Sequence, residues 1–167
     1  TLTRDEMGQI IGQVTTDWKF DVAKNLAEAN LTAATAADKG NVFILAPNDG
    51  TARAIADVFA ADKDVTSYVV TGQDAEIPSV QYIIDGKQSM TVLKDVRTLA
   101  ADAITAAQAF LTGATPEKTN SYNNGKIDVP AKPSAIVTVT QDNVKEALID
   151  SGYYQASDFT NLDALAA

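Results

Sequence analysis

The residues of this sequence best suited to hold a ligand are one aromatic, one amide, two acidic and one basic side chain, each placed shortly after a predicted strand. They are Trp18, Asn48, Asp49, Asp74 and Lys94. Amide and carboxylate oxygens accept hydrogen bonds, while amide and ammonium groups donate them. An indole face can cover the apolar side of a ring. This combination suits a neutral ligand that carries several hydroxyl groups.

Each of these residues also has a purely structural interpretation. Asn48-Asp49-Gly50 has the composition of a turn, Asp74 could cap the helix that follows it, Trp18 could pack in the core, and Lys94 could be a solvated charge. Asp49 and Asp74 could also act as an acid–base pair or hold a hard cation. A ligand site is favoured because ligands of open α/β sheets bind beyond the carboxyl ends of the strands, where all these residues are predicted to lie.

The composition argues against several other kinds of chemistry. The sequence contains neither cysteine nor histidine, which removes thiolate chemistry and the commonest general base and metal ligand. It has no glycine-rich nucleotide-binding motif. We therefore expect no enzyme activity, no catalytic residue, no cofactor and no metal. The formal net charge of −9 disfavours binding to nucleic acid and to anionic lipid, and no apolar run is long enough to span a membrane.

Strands and helices must alternate to position these residues. Apolar and β-branched runs predict strands at residues 9–14, 41–46, 66–71, 89–93 and 135–140. Helical spacing of apolar residues predicts helices over residues 17–34, 51–61, 78–86, 96–111 and 141–151. This order is typical of an α/β fold with a mainly parallel sheet flanked by helices.

Finer features of these elements follow from the same patterns. The run NVFILA at residues 41–46 is apolar throughout, which predicts a strand buried on both faces. Thr51 is the predicted cap of the helix that follows. Residues 115–132 are rich in proline, asparagine and lysine and predict a loop. The inward stripe of the first helix is predicted to be Trp18, Val22, Leu26 and Ala29.

Five stretches of the sequence carry a family pattern. They are QVTTDWKFDVAKNLAEANLTA, FILAPNDGTARAIA, VVTGQDAEIPSVQYIIDGKQSMTVLKDVRTLA, SYNNGKIDVP and VKEALIDSGYY. In this order they resemble the C-terminal half of periplasmic sugar-binding proteins of ABC transporters, of the xylose-binding and multiple-sugar-binding kind. The resemblance implies a periplasmic-binding-protein-like lobe, the second of two lobes that close on a monosaccharide such as xylose, glucose, galactose or arabinose.

The resemblance also implies a role for each candidate residue. Trp18 matches the aromatic residue that stacks on the sugar. Asn48 and Asp74 match residues that bind sugar hydroxyls, and Lys94 matches the lysine that follows the TVL strand. Asp49 is the turn residue beside Asn48 and is included as a ligand-binding residue.

Three positions depart from the family pattern. In TTDW, Trp18 lies one position nearer the preceding strand than in the more usual D-G-W. Pro47 precedes Asn48 where a small or aromatic residue is common. Leu93 occupies a position that is frequently aromatic, so the shape of the site is expected to differ.

The family topology implies a division of the chain between two lobes. Residues 1–86 are assigned to the second lobe, residues 89–116 to a crossover that belongs to the first lobe, and residues 117–167 to the return through the hinge. Most of the first lobe is then outside this sequence, so the apolar face of the 96–111 helix is expected to be exposed. We expect that face to pair with the missing lobe or with a second copy of the chain, for example in a domain-swapped dimer.

The implied partners are a monosaccharide and the membrane subunits of an ABC importer. The implied location is the periplasm, or the outer face of a membrane if the parent protein is lipid-anchored. An alternative from the same fold is the effector domain of a sugar-responsive transcription repressor, or another sugar-sensing receptor domain.

Overall fold

The computed structural model describes residues 12–165, in which helices and strands alternate. The elements are α1 (Phe20–Ala33), β1 (Asn41–Ile44), α2 (Asp49–Ala61), β2 (Ser67–Val70), α3 (Ile77–Ile84), β3 (Thr91–Leu93), α4 (Val96–Leu111), β4 (Asn120–Asn123), β5 (Asp128–Ala131) and β6 (Val137–Val139). A π-helical segment covers Lys145–Asp150, and short 3₁₀ helices cover Ala36–Asp38, Ala156–Asp158 and Leu162–Ala164. The predicted strand at residues 9–14 lies partly outside the described residues, and residues 12–14 have no regular structure.

The described chain divides into two compact units. The first unit contains residues 12–92 and 138–165, and the second contains residues 93–137. The first unit contains Trp18, Asn48, Asp49 and Asp74, whereas Lys94 belongs to the second. No helix among residues 12–165 has the length and apolar character needed to cross a bilayer.

A parallel strand pair forms the centre of the first unit. β1 and β2 run side by side from Asn41 opposite Ser67 to Ile44 opposite Val70, as the predicted βαβ order requires. The helix between them, α2, packs against α1. One face of the pair is buried through Val42, Ala46 and Val70, which pack with apolar residues of the two helices.

The other face of this strand pair is not buried, so the prediction of a strand buried on both faces is wrong for these residues. Phe43 is 83% exposed and Leu45 is 90% exposed, while Val42 is buried. Successive side chains of a strand point to opposite faces, and only one face is covered by α1 and α2. A continuous apolar run therefore produces an exposed apolar surface here.

The buried stripe of α1 also differs from the prediction. Ala23, Ala27 and Leu31 are buried at a spacing of four residues, whereas Ala29 is exposed and Trp18 is 66% exposed. Alanines at the contact allow α1 to approach α2, which contributes Ala52 and Ala56 to the core. Leu31 is the one large apolar residue of α1 in the buried stripe, whereas Val22 and Leu26 are only half-buried.

The C-terminal residues of the first unit pack along α3. The Gln81 side chain donates to the Thr160 carbonyl at 3.1 Å and accepts from the Thr160 N–H at 2.8 Å. Gln141 donates to the Ile84 carbonyl at 3.1 Å.

The predicted 141–151 helix is present only as a turn followed by the π-helical segment. β3 and β6 pair as a second two-stranded sheet.

The second unit contains α4 and a β-hairpin where the sequence predicted a loop. β4 and β5 pair antiparallel, with Tyr122 opposite Val129. Gly125 has φ of 86°, and the Asn124 carboxamide accepts the N–H groups of Lys126 and Ile127. The loop prediction weighed the proline and asparagine content, but the Asn-Asn-Gly turn between alternating apolar residues was the stronger signal.

Candidate ligand-binding site

Asn48 is the cap of α2, whereas Asp49 and Gly50, which were predicted to form a turn with it, are the first two residues of the helix. The Oδ1 of Asn48 accepts from the Thr51 N–H at 3.3 Å and from Thr51 Oγ1 at 2.6 Å. Thr51, the predicted cap, instead lies three residues inside and is buried. Because the oxygen of Asn48 is engaged by the helix end, its Nδ2 donor is the group that it can offer to a ligand.

Asp49 points into the protein. Its side chain is fully buried, and Oδ1 accepts from Thr91 Oγ1 at 2.8 Å and from Gln88 Nε2 at 3.0 Å. Oδ2 accepts from the Glu76 N–H at 2.8 Å. Burial raises the pKa of this carboxyl above its ordinary value, although the hydrogen bonds from Thr91, Glu76 and Gln88 act to lower the pKa. The carboxylate is therefore directed into the protein, which argues against the direct ligand contact predicted from the sequence.

Gly72 makes room for this buried carboxylate. A Cβ placed on Gly72 would collide with Asp49 Oδ1 and Gln88 Nε2. Gly72 lies two residues after the end of β2, and the Asp49 N–H donates to the Gln73 carbonyl at 2.9 Å. The start of α2 is therefore pressed against the end of β2, and only glycine leaves space for the contact.

Asp74 is exposed on a strained piece of backbone. Asp74 and Ala75 have φ of 100° and 50°, a region that non-glycine residues seldom adopt. The Asp74 N–H donates to the Val92 carbonyl at 3.0 Å, and the Ala75 N–H donates to Thr91 Oγ1 at 3.1 Å. Strain of this kind persists only where neighbouring groups determine the backbone, and it is concentrated at functional sites.

Arg53 fixes the far end of the same loop. Its Nη1 donates to Glu76 Oε2 and to Ser79 Oγ, both at 2.7 Å. The Ser79 hydroxyl in turn donates to the Asp49 carbonyl at 3.3 Å. The loop from Asp74 to Glu76 is thus held by β3, by the first turn of α2 and by an arginine one turn further along α2.

Trp18 lies in a tight turn just before α1. Asp17 and Trp18 have φ of 50° and 63°, and the Lys19 N–H donates to the Thr16 carbonyl at 3.0 Å. Two successive positive φ values closed by such a bond are the pattern of a type I′ turn, which large side chains rarely occupy. The Trp18 side chain is 66% exposed, so the core-packing interpretation is wrong and the indole is accessible.

Lys94 directly follows β3 and is half-buried within the second unit. It comes two residues after Val92, whose carbonyl accepts from the Asp74 N–H. Direct hydrogen bonds join Asp49 to the loop after β2, through the Glu76 N–H and the Gln73 carbonyl, whereas Asn48 bonds to Thr51 within the first turn of α2.

The residues that hold Asp49 and the Asp74 loop in place were not identified from the sequence. Gln88 and Thr91 carry no pattern that marks them as partners of a carboxylate 39 and 42 residues away. Tyr154 donates its hydroxyl to the Ala75 carbonyl at 2.8 Å from the other end of the chain. Only Gly72, in the GQDA block, carried a usable signal, because a glycine at a strand end marks close approach of another group.

The hydrogen bonds around Asp49 also argue against the alternative of a cation site. Three hydrogen-bond donors surround its carboxylate, which is opposite to the ring of acceptors that a cation needs. Within residues 12–165, no group of three or more acidic side chains is placed to hold a metal ion.

Comparisons with known proteins place the chain in a family. The sequence model of the periplasmic binding protein domain family matches residues 2–115 of this chain. A multiple sugar-binding periplasmic protein of Azospirillum brasilense is 47% identical over 92 residues, covering 54% of this chain and 26% of the relative. The D-xylose-binding periplasmic protein of Escherichia coli is 30% identical over 115 residues, covering 69% of this chain and 35% of the relative.

A solved structure is also similar over nearly the whole chain. A carbohydrate transporter solute binding protein from Chloroflexus aurantiacus, in complex with D-glucose, is 76% identical with a TM-score of 0.85. The match covers 97% of this chain and 48% of that protein, so the chain spans half the length or less of these relatives. All three are described as binding proteins, which agrees with the expectation of a binder without enzyme activity. The chain belongs to the periplasmic binding protein domain family.

Proposed function

We propose that this chain contributes part of a monosaccharide site in an extracytoplasmic receptor that serves an ABC importer, with D-glucose as the first candidate ligand. The observation that carries the proposal is the 76% identity, over 97% of the chain, to a solute binding protein solved in complex with D-glucose. The exposed Trp18 before α1, the half-buried Asn48 at the start of α2 and the exposed Asp74 in the loop after β2 are of types that suit a pyranose.

The proposed roles follow from the chemistry and the exposure of each side chain. Asn48 donates from Nδ2, because its Oδ1 caps α2. The exposed Asp74 carboxylate accepts from one or two sugar hydroxyls, a pairing that rejects analogues lacking them. The exposed Trp18 indole covers the apolar face of the ring. Lys94 is retained as a hydroxyl ligand on the sequence resemblance alone, and Asp49 is reassigned to support the Asp74 loop.

We also propose that further sugar contacts come from residues outside this sequence, as in a two-lobe receptor. Residues 1–86 would belong to the second lobe, residues 89–116 to the crossover and residues 117–167 to the return. Sugar binding would then favour a closed arrangement of the two lobes, because both lobes contact the ligand only when they are closed. The proposed location is the periplasm or the outer surface of a membrane.

Two exposed apolar surfaces support this view of an incomplete fold. Parallel strands are normally covered on both faces, yet the β1–β2 pair exposes Phe43 and Leu45. On α4, Leu99, Ile104 and Phe110 are 43%, 68% and 71% exposed. Surfaces of this kind favour association, so we expect the 167-residue chain on its own to form dimers or larger species. Light scattering at several concentrations tests this, and a monomer throughout would contradict it.

Calorimetric titration tests the proposed ligand. The full-length gene product is titrated with D-glucose, D-xylose, D-galactose and L-arabinose, and with L-leucine as a neutral ligand of another class. We expect saturable binding of at least one aldose and none of leucine. Asp74→Ala should abolish or strongly weaken binding, whereas Asp85→Ala, which removes an exposed carboxylate at the end of α3, should not. Absence of binding to every aldose, or unchanged binding by Asp74→Ala, would refute the proposal.

A further inference from the structure

Two hydrogen bonds from different parts of the chain hold the backbone of Ala75. The Ala75 N–H donates to Thr91 Oγ1 of β3 at 3.1 Å, and the Ala75 carbonyl accepts from the Tyr154 hydroxyl at 2.8 Å. Ala75 is fully buried at φ of 50°, and Asp74 precedes it at φ of 100°. Both polar groups of a strained residue are therefore tied to other parts of the first unit.

Tyr154 itself is held firmly by its surroundings. Its N–H donates to the Leu148 carbonyl at 2.8 Å. Its ring meets the buried Phe159 ring edge-on, with centroids 5.8 Å apart, and the Tyr153 ring with centroids 4.8 Å apart. The two hydrogen bonds between Gln81 and Thr160 fix the same C-terminal stretch to α3. The phenol is thus directed at Ala75 by packing, so its hydroxyl is ordered before a ligand arrives.

We propose that Tyr154 is a positioning residue for the sugar site, because its hydroxyl holds the Ala75 carbonyl and thereby fixes the backbone that presents Asp74. The inference rests on the proposed function and extends it to the C-terminal residues, to which neither the sequence patterns nor the resemblance assigned a role. The main support for this proposal is backbone strain. A backbone at positive φ relaxes when one of the hydrogen bonds that fix its conformation is lost.

Tyr154→Phe removes the hydroxyl and keeps the ring contacts. We expect the dissociation constant for D-glucose, or for whichever aldose the wild type binds, to rise by about three- to tenfold, the range that one neutral hydrogen bond supports. Tyr68→Phe is the matched control, because the Tyr68 hydroxyl donates to a backbone carbonyl, that of Lys87, at 3.0 Å and away from the loop. This control should leave the dissociation constant unchanged.

A double-mutant cycle separates positioning from a general structural effect. In an Asp74→Ala background, Tyr154→Phe should change the dissociation constant by less than about 1.5-fold, because the residue through which it acts is absent. An equal loss in both backgrounds, or no loss in either, would overturn the inference while leaving sugar binding intact.

Amide hydrogen exchange in the sugar-free protein gives a second readout that does not depend on binding. Tyr154→Phe should accelerate exchange at Ala75 and Glu76, and Tyr68→Phe should not. If the wild type binds no aldose, the proposed function fails, and the exchange rates alone decide whether Tyr154 fixes this loop. They also decide the matter if Asp74→Ala binds too weakly to titrate, and unchanged exchange would overturn the inference.

Discussion

Thr91 Oγ1 donates to Asp49 Oδ1 at 2.8 Å and accepts from the Ala75 N–H at 3.1 Å. Both Thr91 and Asp49 are fully buried. One hydroxyl therefore joins the first turn of α2, the start of β3 and the strained loop after β2. The half-buried Asn48 directly precedes Asp49, and the exposed Asp74 directly precedes Ala75. We therefore expect the junction to fix the positions of these two candidate residues.

Thr91→Val should destabilise the protein although it preserves the shape of the side chain. The change leaves the Ala75 N–H without this acceptor and Asp49 with one donor fewer, and each buried polar group left unpaired costs about 1–3 kcal/mol. We expect the free energy of unfolding in urea to fall by about 2–4 kcal/mol. Thr32→Val, which removes an exposed hydroxyl bonded to the Glu28 carbonyl, is the control and should change stability by less than about 0.5 kcal/mol. Equal effects of the two variants would mean that the junction carries no special stability.

Gly72→Ala should be among the most damaging single-methyl additions in the first unit. The new Cβ would overlap Asp49 Oδ1 and Gln88 Nε2, groups that are buried and hydrogen-bonded to each other. Overpacking of this kind costs about 1–3 kcal/mol, seen as a lower melting temperature. Gly40→Ala offers a matched comparison, because a Cβ there meets nothing within 4 Å, and it should be close to neutral. A Gly72→Ala protein as stable as Gly40→Ala would show that α2 can move away from β2 without cost.

Much of the first unit could be predicted because its signals are local. The apolar runs of β1 and β2 and the helical spacing of α2 and α3 each specify an element from adjacent residues. The exposed side of β1 could not be predicted, because apolar content predicts burial only where another element is available to cover the strand. Phe43 and Leu45 are apolar enough for a core, yet their burial depends on what packs there.

The candidate site divides in the same way. Asn48 and Asp74 stand at strand ends, and a topological rule was enough to suggest that they face one edge of the sheet. Asp49 could not be assigned from sequence, because an aspartate beside a turn looks the same whether it faces solvent or a buried threonine. Its role depends on Gln88 and Thr91, which the fold brings to it from 39 and 42 residues away.

Trp18 provides a direct optical test of the site, because it is the only tryptophan in the sequence and its side chain is 66% exposed. Covering the indole with a sugar ring should shift its fluorescence emission to shorter wavelength. In a titration, the sugar concentration at half of this change should match the calorimetric dissociation constant. Trp18→Ala should change stability by less than about 0.5 kcal/mol yet weaken binding about tenfold or more. Tyr122→Ala removes another exposed aromatic residue, from β4, and should not affect affinity. Saturable sugar binding without any change in emission would place the sugar away from Trp18.

The ion pair between Lys39 and Asp62 should make stability depend on acid pH. Lys39 is only 9% exposed, and its Nζ lies 2.9 Å from Asp62 Oδ2. The hydrogen bond from Lys39, assisted by the Asp64 N–H, lowers the pKa of Asp62 below its ordinary value of 3.8. Because the folded state binds this proton less tightly than the unfolded state, the stabilisation is fully present above the unfolded pKa and is lost as pH falls through the folded pKa.

Asp62→Asn isolates this contribution. The wild type should be more stable than the variant at pH 7, and the difference in the free energy of unfolding should shrink as the pH is lowered below 3.8. Denaturant titrations of both proteins between neutral and acid pH measure it. Asp163→Asn removes an exposed carboxylate from the 3₁₀ turn Leu162–Ala164 and controls for the change in net charge. A wild-type advantage that stays constant with pH would mean that Asp62 acts through packing at the end of α2 and that its charge contributes nothing to the fold.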